Sequence, residues 1–371
     1  MRLIFLNGLI MSLLVLMGCQ QEENIGNIKT IPAASVVSLA TDHVRHNPAD
    51  TISVIGVGDI MLGTNFPAGF LPPNDGRDLL KPVQHWLQDA DLTFGNLEGV
   101  ILTGEGQMKK CSNPALCYAF KSPDHYIEYF VEAGFDLLSI ANNHVGDFGD
   151  IGRQNTVRQL EKTPLKFAGL LSHPSTSFEQ DGVKYGFAAF SPNNGTVNIN
   201  DIPNAKRIVA ALAEKNDVVI VSFHGGAEGA RKRNITRENE LFVGENRGNP
   251  YAFARAVIDA GADIVFGHGP HVTRAVDLYK NRFIAYSLGN FATYGRFNLK
   301  GVSGMAPIIK VFVNKKGEFL SARVFSIKQI GEGEPVPDPD HGALREIQTL
   351  TQQDIPEAPI QIGDDGVIRK N

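Results

Sequence analysis

The chain has 371 residues, of which 43% are apolar and 20% are charged, and its formal net charge is −5. A chain of this length and apolar content can bury a large core in one or two domains. The same composition excludes an intrinsically disordered chain. The negative net charge, with no dense basic run except residues 231–233, argues against a nucleic-acid partner.

The N-terminal residues have the pattern of a bacterial lipoprotein signal peptide. An apolar segment follows Arg2 and is shorter than a membrane span, which is typical of a secretory signal core. It ends in Leu-Met-Gly-Cys at residues 16–19, which resembles a lipobox. We therefore predict a signal peptide over residues 1–18, a lipid anchor on Cys19, and an outer-membrane location facing the periplasm, because Gln20 is not the aspartate that retains such proteins in the inner membrane. The alternative is a plain secretory signal with an incidental cysteine.

Composition divides the remaining chain into three segments. Residues 19–50 are polar and lack periodicity, which predicts a flexible tether. Residues 51–330 alternate between apolar runs and amphipathic segments, which predicts one α/β domain. Residues 331–371 are rich in Glu, Asp, Pro and Gln, and we predict a polar C-terminal tail without an assigned role.

Two cysteines remain after Cys19. Cys111 and Cys117 lie in a turn-rich segment, and an oxidising compartment favours a disulfide between them. Half of a cysteine metal site is the alternative, but the sequence lacks the second cysteine pair that such a site needs.

The predicted elements follow one another as strand and helix through the domain. In chain order the predicted strands are residues 51–59, 91–98, 135–141, 166–170, 185–190, 217–224, 263–267, 282–291, 307–313 and 319–327. The predicted helices are residues 77–90, a segment that opens at Ser122, and residues 151–161, 204–215 and 249–260.

Five of these strands end in side chains that can bind a metal. These side chains are, in chain order, Asp59, Glu98, Asn143 with His144, His224, and His268 with His271. A single histidine after a strand is most often a hydrogen-bonded structural residue. Ligands bind beyond the carboxyl ends of strands in open α/β sheets, so the repetition indicates one shared site. Oxygen and imidazole donors with hardly any sulfur suit Zn²⁺, Mn²⁺ or Fe²⁺, and we predict one or two divalent ions.

The same positions carry a family resemblance. The motifs are Gly58-Asp59, Asn96-Leu97-Glu98, Asn142-Asn143-His144-x-x-Asp147-x-Gly149, His224-Gly-Gly-Ala-Glu228, Gly267-His268-Gly-Pro270-His271 and Ser287-Leu288-Gly289-Asn290-Phe291. As a set they resemble the CapA family of bacterial capsule-synthesis proteins, which is linked to poly-γ-glutamate. That family is similar in fold to calcineurin-like metallophosphoesterases, so the resemblance implies a four-layered α/β/β/α sandwich with metals at the strand ends.

The resemblance also implies residue roles, with several departures from the wider phosphoesterase pattern. It implies that Asn143 is a metal ligand and that His144 is an acid or a transition-state stabiliser. Met61 occupies the position of a histidine in the first motif, and Gly225 replaces the tryptophan usual in the capsule family. Gly269 and the following proline place His271 one position later than the phosphoesterase spacing.

Two functions of different classes follow from these residues. The first is a metal-dependent hydrolase or transferase acting on an envelope polymer or phosphate ester, in which metals hold the reacting oxygens, His144 protonates the leaving group and Glu228 orients a ligand or substrate. The second is a non-catalytic protein that keeps the fold and binds or exports an anionic polymer, which Met61 favours. In either case Arg231, Arg233 and Arg237 form a rim for a polyanion or are simply a solvated charge run.

Overall fold

The computed structural model describes residues 50–111 and 117–371. The predicted signal peptide, the lipidation site Cys19 and all of the tether except residue 50 lie outside the described residues. Within the described part of the chain, no helix is both long and apolar enough to cross a bilayer.

The described residues contain strands in four sheets and six α-helices. The strands are, in chain order, β1 (Thr51–Met61), β2 (Leu92–Leu97), β3 (Val100–Ile101), β4 (Lys121–Ser122), β5 (Leu137–Ser139), β6 (Lys166–Ala168), β7 (Ser175–Gln180), β8 (Val183–Phe190), β9 (Val218–His224), β10 (Leu241–Phe242), β11 (Glu245–Asn246), β12 (Ile264–His268), β13 (Val276–Tyr279), β14 (Arg282–Ala285), β15 (Asn290–Thr293), β16 (Met305–Asn314), β17 (Phe319–Ile330), β18 (Glu334–Pro337), β19 (Ile360–Ile362) and β20 (Val367–Lys370). The helices are α1 (Lys81–Leu87), α2 (Tyr126–Ala133), α3 (Gly149–Leu160), α4 (Ile202–Ala213), α5 (Pro250–Asp259) and α6 (Gly342–Asp354).

Two large sheets contain most of these strands. The larger sheet has the order β19-β20-β17-β16-β1-β2-β5-β6, with β15 paired to β1 and β18 paired to β17. The smaller sheet has the order β13-β14-β12-β9-β8-β7. Strands β1, β2, β5 and β6 run parallel, and so do β8, β9, β12 and β14. The carboxyl ends of each parallel set therefore lie at one edge of its sheet.

The two sheets pack face to face, with helices on both outer faces. Phe94 of the larger sheet stacks on Phe266 of the smaller sheet, with ring centroids 5.4 Å apart, inside the core between the sheets. Helices α1, α2 and α3 share a second core with the outer face of the larger sheet. Helices α4 and α5 share a third core with the outer face of the smaller sheet. This arrangement is the predicted four-layered α/β/β/α sandwich, and its three apolar cores supply the burial that stabilises it.

One predicted strand is wrong in a way that matters for the site. The sequence predicts a single strand over residues 282–291, but the structure divides it between β14 of the smaller sheet and β15 of the larger one. At the crossing, the Leu288 amide donates to the Gly267 carbonyl (3.0 Å) and the Asp59 amide donates to the Gly289 carbonyl (2.8 Å). Gly289 has φ of 64°, a left-handed conformation that favours glycine. The crossing thus links both sheets at their carboxyl edges.

The predicted helix start at Ser122 is also wrong. Helix α2 begins at Tyr126, and Ser122 belongs to β4, where its hydroxyl donates to the Gly63 carbonyl (2.6 Å). The serine therefore secures a strand-end turn, although Ser-Pro is a common helix-start signal.

The C-terminal segment, which its composition predicts to be a polar tail, takes part in the fold. Strands β18 and β20 both pair with β17, and β19 pairs with β20. In α6, Leu344 and Ile347 reach the core between the sheets, and Leu350 packs with the outer core of the smaller sheet. The apolar side chains recur at every third position among Gln, Thr and Glu, so the overall composition conceals an amphipathic helix.

Candidate metal centre

The carboxyl edges of both sheets meet at the side chains that the sequence singles out. In the larger sheet, Asp59 of β1 is in register with Asn96 of β2 and with Asn290 of β15. In the smaller sheet, His268 of β12 is in register with His224 of β9. Asp59 and His268 then contact each other across the two sheets, with Oδ1 and Nδ1 3.2 Å apart. Strand register therefore brings distant segments to one place.

Asp59 is fully buried and surrounded by polar partners. Its Oδ1 accepts a hydrogen bond from Asn96 Nδ2 (2.8 Å), and its Oδ2 lies 3.0 Å from His271 Nδ1. Burial alone raises the pKa of this carboxyl group, but contacts with His268 and His271 hold the pKa well below its usual range. Asp59 is therefore ionised.

Glu98 and His271 complete the most compact part of the site. His271 Nε2 lies 3.5 Å from Glu98 Oε1, and single donor atoms of Asp59, Glu98 and His271 all lie within 4.8 Å of one another. Burial works against the charged imidazole, yet Glu98 and Asp59 raise the pKa of His271 to about 10. Burial and the nearby charge of Asp59 raise the pKa of Glu98 well above its usual range. In the absence of an ion, a proton on His271 offsets the negative charge of the neighbouring carboxylates.

Several buried polar atoms at this edge have no hydrogen-bond partner among the described residues. They are both carboxylate oxygens of Glu98, Oδ1 of Asn143, and both ring nitrogens of His224 and His268. An unsatisfied buried polar group costs about 1–3 kcal/mol, so such a concentration is typical of a ligand site. Burial and the charge of Arg247 hold the pKa of His224 well below its usual range, which keeps its imidazole in the neutral form that binds metals. These donors therefore fit a divalent ion.

His144 lies beside Glu98 and has a fixed orientation. Its Nδ1 is 2.8 Å from Asp147 Oδ2, and its Nε2 is 4.0 Å from Glu98 Oε1. Its backbone amide donates to Asn142 Oδ1 (3.1 Å), and the Phe120 ring packs at a centroid distance of 4.4 Å. Because Asp147 engages one ring nitrogen, the other faces the candidate metal centre, where it can hold or release a proton.

Residues on either side of the disulfide hold the carboxylate that orients His144. Asp147 Oδ2 accepts from the Phe120 amide (2.7 Å), and Asp147 Oδ1 forms an ion pair with Lys109 Nζ (2.5 Å). The predicted disulfide between Cys111 and Cys117 is present, and it closes the segment between these two contacts. The disulfide therefore links the two flanking segments that hold Asp147.

Glu228 lies near the site but contacts an arginine that the sequence does not single out. Its Oε1 is 3.0 Å from Nη2 of Arg247, whose side chain is 2% exposed. The charge of Glu228 raises the pKa values of both Glu98 and His271. Glu228 is thus near enough to act electrostatically on two of the predicted ligands.

The predicted arginine rim does not present a set of free cations. Arg233 forms an ion pair with Glu346 (3.0 Å), and Arg237 forms one with Glu357 (2.9 Å). Arg231 is exposed in a short 3-10 helix. Two of the three side chains therefore attach the 229–248 segment to the C-terminal segment.

The departures from the phosphoesterase pattern have local structural explanations. Met61 is buried at the end of β1, where a thioether offers no strong metal donor. A Cβ on Gly225 would lie 2.8 Å from the Arg247 carbonyl oxygen, so this position has no room for a tryptophan. Gly269 has φ of 112°, and a Cβ there would lie 2.7 Å from the Gly225 carbonyl oxygen. Both glycines allow the two strand-end turns to approach closely.

Three side chains that support the site lie within the quoted motifs without a role predicted for them. Asn96 binds Asp59, Asp147 binds His144, and Asn290 Oδ1 lies 3.0 Å from His271 Nδ1. Their positions beside the predicted ligands are the only sequence signal for them. Arg247 has no such signal, because it lies in a polar insertion outside every motif.

Two bacterial CapA proteins are similar to this chain over part of their length. The capsule biosynthesis protein CapA of Bacillus anthracis is 28% identical over 268 residues, which cover 67% of this chain and 61% of that protein. The PGA biosynthesis protein CapA of Bacillus subtilis (strain 168) is 27% identical over 271 residues, which cover 68% and 66%. The matched segment therefore spans less than two thirds of either relative.

The solved NAD nucleotidase of Haemophilus influenzae aligns at 13% identity and a TM-score of 0.40, covering 81% of this chain and 62% of that chain. That distant likeness adds nothing to the layers already described.

A family model described as bacterial capsule synthesis protein PGA_cap matches residues 53–294. This range covers more than half of the chain and contains all the predicted metal ligands from Asp59 to His271. The resemblance found in the motifs is therefore confirmed. The chain belongs to the PGA_cap family of bacterial capsule synthesis proteins.

Proposed function

We propose that this protein is a lipid-anchored hydrolase or transferase of capsule or poly-γ-glutamate synthesis that uses a divalent metal and acts on an envelope polymer or a phosphate ester. The observation that carries the proposal is the group of buried donor atoms on Glu98, Asn143 and His224 that have no hydrogen-bond partner in the described part of the chain. Such a group is costly in a protein that only needs to fold, and its cost is offset when the donors bind an ion.

The residues proposed to hold the metal come from both sheets. Asp59, Glu98 and Asn143 supply oxygen atoms, and His224, His268 and His271 supply nitrogen atoms. They would hold a divalent ion, which would supply Lewis-acid polarisation of a phosphoryl or carbonyl oxygen. Asn96 and Asn290 hold Asp59 and His271 in place, as supporting residues do at metal sites.

His144 is the proposed proton donor to the leaving group. Asp147 accepts from Nδ1 and stabilises the protonated ring, so Nε2 faces the site and can release its proton. Glu228 holds Arg247 and adds negative charge beside the ligands. The Phe120 ring covers His144 and limits the access of water to that side.

The proposed location is the cell envelope, with the chain attached through a lipid on Cys19. Support comes from the lipobox-like sequence and from the disulfide, which is typical of an oxidising compartment. Replacing Cys19 with alanine is expected to release the protein from the membrane fraction. Membrane association that is unchanged in this variant would contradict the anchor.

The test of the enzymatic proposal compares turnover in matched variants. Wild-type protein loaded with Zn²⁺ or Mn²⁺ is offered p-nitrophenyl phosphate and poly-γ-glutamate, and we expect turnover of one of them. His144→Asn should lower kcat by roughly 10²- to 10⁴-fold while metal content stays unchanged. His85→Asn, an exposed change on α1, is the control.

A non-catalytic polymer-binding role is the second candidate. Met61 in place of a ligating histidine favours it, because it removes one donor from the first motif. Binding of poly-γ-glutamate by the metal-loaded wild-type protein, without turnover of either compound, would support this role and contradict the enzymatic one.

A further inference from the structure

Arg247 is fixed next to the turn that follows His224. It comes directly after β11, in the insertion that separates β9 from α5. Its carbonyl oxygen accepts from the Gly226 amide (2.8 Å), and its own amide donates to the Glu240 carbonyl (2.8 Å). The insertion therefore delivers this arginine to the carboxyl edge of the smaller sheet.

The Arg247 guanidinium is buried, yet one of its edges is not hydrogen-bonded. The side chain is 2% exposed, and neither Nε nor Nη2 has a hydrogen-bond partner among the described residues. Nη2 lies 3.0 Å from Glu228 Oε1, but this contact lacks hydrogen-bond alignment. Nη1 lies 3.7 Å from the exposed Glu245. Nε and Nη2 form the side of a guanidinium that binds a carboxylate or phosphate through two parallel hydrogen bonds.

Backbone contacts place Arg247 at the ends of both strands that carry the predicted histidine ligands: the Gly226 amide donates to its carbonyl oxygen (2.8 Å), and the Gly225 amide donates to the His268 carbonyl oxygen (2.8 Å). The electrostatic effects agree with this position. Arg247 lowers the pKa of His224, and it opposes the rise in the pKa of Glu98. Glu228, its nearest acid, acts on Glu98 and His271. By contrast, Arg233 and Arg237 are already paired with acids of the C-terminal segment.

We propose that the Nε–Nη2 edge of Arg247 binds an anionic group of the substrate, a phosphate or a carboxylate, beside the metal centre, with Glu228 as the residue that positions the guanidinium. This inference deepens the proposed function and rests on it for the location of the substrate. It defines the substrate class as a compound with an anionic oxygen group close to the reacting bond.

Equilibrium binding tests the inference independently of turnover. Inorganic phosphate and γ-glutamylglutamate are titrated separately into metal-loaded full-length protein by calorimetry. Arg247→Met is expected to weaken the binding of one or both probes by roughly 10- to 100-fold, with unchanged metal content. Arg247→Lys keeps the charge but loses the two-donor edge, and it should also bind at least about tenfold more weakly. The probe affected shows whether the site prefers a phosphate or a carboxylate.

Two further variants control for charge and folding. Arg207→Met removes an exposed arginine on α4 and should bind both probes as the wild type does. Glu228→Gln combined with Arg247→Met removes both charges, so it remains testable if the single methionine variant does not fold. Binding within twofold of wild type in the arginine variants, or no binding of either probe by wild type, would overturn the inference. Arginine-dependent binding without turnover would instead contradict only the enzymatic proposal.

Discussion

The two halves of the candidate metal centre satisfy their polar atoms in different ways. Asp59 is paired within the protein: Asn96 donates to its Oδ1, His271 Nδ1 lies 3.0 Å from its Oδ2, and His268 Nδ1 lies 3.2 Å from Oδ1 without hydrogen-bond alignment. His224 has no hydrogen-bond partner on either ring nitrogen among the described residues. The first half can be stable without an ion, because a proton on His271 balances the acids. Under the proposed function, the second half gains its polar contacts from the metal ion, so His224 is the residue that most favours the proposal.

The largest expected effect on stability is in the self-paired half. His271→Ala leaves Asp59 and Glu98 buried without the positive charge that offsets them, and the metal-free protein should lose roughly 3–5 kcal/mol of unfolding free energy. Urea denaturation after treatment with a chelator measures this loss. The exposed His85→Ala variant should change by no more than about 0.5 kcal/mol. A similar small change in His271→Ala would remove the distinction between the two halves.

A smaller effect with a pH signature is expected from the same pair. The pKa of His271 rises from 6.5 to about 10 in the folded protein, chiefly through Glu98 and Asp59 acting against burial. A raised pKa stabilises the fold fully below pH 6.5, and this contribution is lost as the pH rises through about 10. The raised pKa of Glu98 has the same sign, because its ionisation in the folded state becomes a penalty as the pH rises. The unfolding free energy of chelator-treated protein should therefore fall between pH 6.5 and 10, and a flat profile would contradict the pairing.

The smallest stability effect is expected in the unpaired half. His224→Leu replaces two unpaired nitrogens with an apolar group of similar size, so the metal-free protein should stay within about 1 kcal/mol of wild type or become more stable. The same variant should bind Zn²⁺ at least about tenfold more weakly. Measuring both quantities in one preparation separates a ligand from a structural histidine. A large loss of stability without metal would place His224 with the structural residues.

The sequence could predict where the site residues stand on their strands, but it could not predict which of them touch. Asp59, Glu98, His224 and His268 follow apolar runs directly, so their positions at strand ends are visible from local pattern. Their mutual contacts depend on which strands are neighbours, and that order follows from packing between distant segments. Asn290 illustrates this limit, since it reaches His271 only because the chain crosses from the smaller sheet to the larger one at Gly289.

Composition was a poor guide where short apolar patterns lie within polar segments. Helix α6 places Leu344 and Ile347 in the core between the sheets, although its surroundings are rich in Gln and Thr. Arg247 lies in an insertion of mixed polarity, and its burial follows from the Gly225 and Gly226 turn that its carbonyl oxygen contacts. The apolar spacing of α6 is a local signal that the overall composition conceals, whereas Arg247 has no local signal because its burial depends on contacts with residues from other segments.

The central claim is that the buried donors at the carboxyl edges bind a divalent ion, and elemental analysis of full-length protein tests it most directly. Protein purified without chelator should contain at least one equivalent of Zn, Mn or Fe, and the combined His224→Ala and His268→Ala variant should contain little of any of them. Absence of stoichiometric metal from folded wild-type protein, even after incubation with each ion, would contradict the claim.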